Sequence, residues 1–70
     1  MNIIKYSISG DYIELCQLLK VTGLCSSGGE AKQVISELLV KVDGKIEVRK
    51  KCKITRGQKV TYNNQTVIVE

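Results

Sequence analysis

Enzymatic chemistry in this 70-residue chain would have to be built from three cysteines, Cys16, Cys25 and Cys52, seven acids and eleven bases, because the sequence contains no histidine. Cys25 is the thiol with an electrostatic argument for reactivity. It lies just ahead of a helix start, where the N-terminal dipole lowers a thiol pKa. No imidazole is available to act as its base, so a nucleophile pair cannot be assembled. The three cysteines are widely spaced, lack a C-x-x-C pair and have no histidine to complete a common zinc site. They read as reduced thiols, with Cys16 a small hydrophobe on a helix face. The expected protein is therefore not an enzyme and carries no cofactor and no metal.

Phosphate recognition fits the remaining polar residues better. Arg49-Lys50-Lys51-Cys52-Lys53-Ile54-Thr55-Arg56 contains five of the eleven bases and no acid. Residues 1–40 carry three lysines against four acids, whereas residues 41–59 carry eight bases against Asp43 and Glu47, so the net charge of +4 comes from the middle of the chain. A solvated face usually mixes both signs, and a one-sign block points to a polyanion. Upstream, Ser27-x-x-Glu30 is a capping-box signature. The adjoining Gly28 and Gly29 have two readings: close packing of two helices, or helix N–H groups left open to a phosphate.

These residues need elements to position them. Ile3 to Ile8 is rich in β-formers and reads as a strand. Asp11-x-x-Glu14, followed by Tyr12, Leu15, Cys16, Leu18 and Leu19 at helical spacing up to Gly23, predicts a first helix over about 11–22. Ala31, Val34, Ile35, Leu38 and Leu39 form one apolar stripe, predicting a second helix over about 27–39 with that stripe in the core. Val40-Lys41-Val42 and Lys45 to Val48 flank Asp43-Gly44, a dipeptide suited to a type I′ hairpin. After a turn at Arg56-Gly57-Gln58, strands at Lys59 to Tyr62 and Gln65 to Val69 meet across Asn63-Asn64. At this length the expectation is one domain over 1–70 with a small core. No apolar run reaches the ~20 residues of a membrane span and no signal peptide is apparent, so a cytoplasmic monomer without a large exposed apolar patch is expected.

In this order, Leu15-x-x-x-Leu19, Gly23-Leu24, Ser26-Ser27, Glu30-Ala31-Lys32-Gln33, Ile35, Val40-x-Val42-Asp43-Gly44, the basic segment, Gly57 and Val60 resemble the S-four RNA-binding domain. That family is named after ribosomal small-subunit protein four. The likeness spans about residues 12–60. Ser27-Gly28-Gly29-Glu30-Ala31-Lys32 and Val42-Asp43-Gly44 are further similar to the small stand-alone bacterial members. The resemblance implies an α+β fold, the αL motif, with two packed helices against a small bent antiparallel sheet. Many members have Arg where this chain has Gly28, and Gly where it has Leu38. Gly at the latter place ends the helix with a positive φ, so Leu38 predicts a helix that continues into Leu39 or ends differently.

The resemblance also implies binding to structured RNA, ribosomal or transfer RNA foremost, with the ribosome itself as a candidate partner. The basic patch and helix two supply the contact residues Ser27, Gly28, Gly29, Lys32, Gln33, Lys41, Arg49, Lys50, Lys51 and Lys53. Such side chains meet phosphates and so read shape rather than sequence. With no Phe or Trp, and Tyr6, Tyr12 and Tyr62 on different elements, a stacking platform for single strands is missing. The alternative is a protein-interaction module docking on an acidic or ribosome-associated partner. A DNA-binding helix-turn-helix is a thinner option, because helix two offers only Lys32, Gln33 and Ser36 as base readers.

Overall fold

A computed structural model describes residues 2–70. Strand β1, Asn2–Tyr6, leads into a two-residue strand β2, Ile13–Glu14, and helix α1, Leu15–Val21; helix α2, Gly28–Ser36, follows. The short strands β3, Lys41–Val42, β4, Lys45–Ile46, and β5, Lys53–Ile54, precede β6, Lys59–Tyr62, and β7, Gln65–Val69. The main sheet has the order β1-β7-β6-β3-β4, and β2 pairs separately with β5. Two helices thus pack on a mixed sheet, an α+β arrangement.

The expected sheet was antiparallel, and its neighbours are, except that β1 runs parallel to β7. Parallel pairing requires a long return connection, and here everything between the two ends of the chain supplies it. The register sets Ile4 opposite Val67 and Tyr6 opposite Val69, which keeps the inward residues of both strands on one face. Both hairpin turns form as expected, with positive φ at Asp43 and Gly44 and at Asn63 and Asn64. The return strand of the first hairpin is shorter than expected and ends at Ile46.

Helix one starts at Leu15 rather than near Asp11, because Ile13 and Glu14 pair with Ile54 and Lys53. Glu14 occupies its N-cap without a side-chain bond. The carbonyl of Cys52 accepts from the Leu15 N–H at 2.9 Å, and that of Lys50 from the Cys16 N–H at 3.0 Å. Gly23, with φ 82, takes the left-handed turn after the helix as its position predicted.

Helix two begins as its capping signature requires, with the Ser27 hydroxyl accepting from the Glu30 N–H at 3.1 Å. The Glu30 carboxylate reaches one residue further back than in the usual box, to the N–H of Ser26 at 3.0 Å. Its end differs from expectation. The helix stops at Ser36, Leu38 takes a left-handed φ of 64, and the apolar stripe divides. Ala31, Val34 and Ile35 are buried, whereas Leu38 and Leu39 are 54% and 52% exposed. The core is completed by Leu15, Leu18 and Leu19 from α1 and by Val40, Ile54, Val60 and Val67.

Candidate nucleic-acid interface

The basic segment is a loop whose backbone is committed to the fold while its side chains remain outside. By accepting with their carbonyls from the first N–H groups of α1, Lys50 and Cys52 satisfy donors that a helix cannot pair internally, and the loop is anchored in return. Lys50 and Lys51 form the turn at its tip, and both are exposed. Lys53 pairs through its backbone with Glu14, and its ammonium sits 5.0 Å from the centroid of the Tyr12 ring, a cation–π distance.

Glu47 organises the entry to the loop. Its carboxylate accepts from the backbone N–H groups of Val48 and Arg49 and, at 3.0 and 3.1 Å, from Nε and a terminal nitrogen of Arg49. The Arg49 side chain is 74% exposed and that of Glu47 18% exposed. Those hydrogen bonds from Arg49, side chain first and backbone second, pull the Glu47 carboxyl down to about 2 and raise the Arg49 guanidinium in turn. A short local fork thus orients the arginine in this structure.

Cys52 lies 3.6 Å from both partners of that ion pair. Burial first, then the Glu47 charge, pushes its thiol up. Cys25 is 2% exposed, and burial followed by the Glu30 carboxylate raises its thiol too. The one electrostatic argument for a reactive Cys25 therefore runs the wrong way in the folded protein, since a protonated buried thiol is inert.

Of the ten expected contact residues, the fold gathers Arg49, Lys50, Lys51 and Lys53 on this loop. It adds Lys45, which lines a hollow together with Arg49, Lys53 and Gln58. Reading along the chain missed Lys45 because it belongs to the hairpin; the tight Asp43-Gly44 turn, which sends the chain back toward the loop, was the available signal. Ser27, Gly28, Gly29, Lys32 and Gln33 form a second group at the start of α2. Helix α1, about 10 Å long at 1.5 Å per residue, leads from the loop to the linker that opens α2. Lys32 and Gln33 are exposed, with the Gln33 amide donating to Glu37 at 3.4 Å. The close-packing explanation for the glycines fails: a Cβ at Gly28 would meet nothing within 4 Å, and one at Gly29 only the Ser27 hydroxyl at 3.8 Å. Lys41 is separated from both groups. It pairs with Thr61 and Ile46 between the buried Val40 and Val42, which places it on the sheet face turned away from the core.

This arrangement coincides with a known family. Residues 6–70 match the S4 domain. The chain belongs to the S4 domain family. It is 50% identical over 58 residues, 83% of each chain, to the Escherichia coli K12 protein named "Putative RNA-binding protein YbcJ", and equally to the YbcJ of Shigella flexneri. The solution structure of E. coli YbcJ, described as revealing an αL motif involved in RNA binding, matches with a TM-score of 0.74 and 44% identity. That match covers 99% of this chain and 89% of the other. The S4 match extends beyond the residues 12–60 that carry the resemblance in the sequence and takes in the closing β6–β7 hairpin. RNA binding is thus the activity to which family and relatives point.

Proposed function

We propose that this protein binds structured RNA, ribosomal or transfer RNA foremost, as a non-enzymatic cytoplasmic monomer acting as one S4 unit. The observation that carries this reading is the basic loop. Four cations, Arg49, Lys50, Lys51 and Lys53, ride on a backbone pinned to the start of α1, with Lys45 beside them. A positively charged surface on a fixed backbone suits phosphates held at set positions in folded RNA, and the lack of aromatic residues on the loop argues against base stacking. The start of α2, with Ser27, Gly28, Gly29, Lys32 and Gln33, supplies a second phosphate contact along α1. Among the described residues no helix is long and apolar enough to cross a membrane.

The test is a double substitution, Lys50→Ala with Lys51→Ala. Both side chains are exposed, so thermal unfolding should stay near that of the parent protein while affinity for a folded RNA hairpin falls about tenfold or more. Equal affinity of parent and variant would remove the loop from the site.

A further inference from the structure

We propose that the sheet face opposite the helices is a second interaction surface, which takes an acidic protein segment bearing apolar side chains. Four of the chain's exposed large hydrophobic residues, Leu38, Leu39, Ile46 and Val48, each 52–55% exposed, lie between the end of α2 and the edge of β4. The register shows that three of them share a face. Lys41 pairs with Ile46, and the Glu47 N–H carries the ladder on to the Val40 carbonyl, so the next pair is Leu39 with Val48. With Val40 and Val42 buried, Leu39 and Lys41 alternate outward, and their partners Val48 and Ile46 go with them.

The same face continues across the sheet. Lys41 neighbours Thr61, Thr61 neighbours Thr66, and Thr66 neighbours Ile3, which is 62% exposed; one step along, Lys59 neighbours Ile68. A hollow lined by Ile3, Ile68, Thr61 and Lys59 opens there. The surface is therefore an aliphatic edge and an aliphatic hollow joined by lysines. Asp43, the acid that lines this hollow, is already engaged: its carboxylate accepts from the Lys59 N–H at 3.0 Å and from the Gln58 amide at 3.1 Å. Exposed aliphatic groups rimmed by charge are a feature of protein-docking sites.

Charge selects the occupant. A second copy would add a second set of lysines to the same interface. RNA would satisfy the lysines but cover the aliphatic groups without stacking, since Tyr6 and Tyr62 pack against the core on the opposite face. An acidic segment with interspersed apolar side chains satisfies both halves of the surface.

The experiment titrates the isotope-labelled full chain with a short synthetic peptide in which leucine alternates with glutamate, followed by amide NMR shifts. The expected shifts fall on Leu39, Lys41, Ile46, Val48, Lys59 and Ile68. Ile46→Ser with Val48→Ser, and separately Lys59→Glu, should weaken the peptide at least tenfold while leaving the thermal midpoint and folded-RNA affinity as they were. The proposal is overturned if the glutamate peptide shifts no residue of this face, or if a leucine–lysine peptide binds equally well. It is likewise overturned if sedimentation shows that the chain dimerises through the face, or if folded RNA shifts the same residues. RNA binding by the basic loop stands or falls separately.

Discussion

Leu38 shows what one side chain costs at the end of a helix. Its N–H bonds to the Ile35 carbonyl and that of Leu39 to the Val34 carbonyl, both at 3.1 Å, the paired bonds of a Schellman helix end with Leu38 at the left-handed position. An L-residue there is disfavoured by about 1–2 kcal/mol, and glycine escapes that penalty at some entropic cost. Because Leu38 is half exposed, little burial is lost with it. Leu38→Gly should therefore stabilise the fold by about 0.5–1 kcal/mol in denaturant unfolding; a destabilised variant would mean that the leucine side chain packs usefully. The sequence marks the position as unusual, but the helix stops at Ser36, short of the expected Leu39, and Leu38 accepts the strained left-handed angle. Glu47 gives a second test at this scale. Its folded carboxyl is lowered to about 2, so the stability from its clamp is complete above the unfolded pKa of about 4.3 and is lost as pH falls toward the folded value. A carboxyl NMR titration should place the Glu47 midpoint near 2, and a midpoint at an ordinary glutamate value would show Arg49 swinging free.

At the scale of the element, the two helix starts were unequally legible. Ser27 and Glu30 announce the second because the cap is local, confined to side chains three residues apart. The first is set by carbonyls from Lys50 and Cys52, more than thirty positions downstream, and by β2 pairing with β5; no pattern around Asp11 or Glu14 contains that information. For the same reason the stripe through Leu38 and Leu39 read as core: helical periodicity was extended past a chain reversal that only the backbone reveals. The open start of α2 yields its own prediction. A side chain at residue 28 has room, and an arginine there would lie one turn from Lys32. Gly28→Arg should fold and steepen the log–log salt dependence of RNA binding by about 0.7–0.9, one added phosphate contact. An unchanged slope in the folded variant would show that RNA does not approach this helix start.

At the scale of the whole molecule, the proposed function assigns stability and RNA recognition to different residues of a very small protein. Leu19 and Ile35 are fully buried where the two helices meet the sheet, so either one changed to Ala should cost about 2–5 kcal/mol, a large share of the 5–15 kcal/mol typical of a domain. Denaturant midpoints shifted by much less would mean that the core closes over the gap. The bases contribute little to that core, and the uneven charge that betrayed them in the sequence survives folding as a loop with anchored carbonyls. The central claim is that this loop binds RNA by neutralising phosphates, and the dependence of affinity on salt measures it most directly. With about four to six phosphates engaged, log affinity for a folded RNA hairpin against log salt concentration should fall with a slope of roughly −3 to −5, and Lys50→Ala with Lys51→Ala should flatten it by about 1.5. A slope near zero, or one that the double substitution leaves unchanged, would contradict the account.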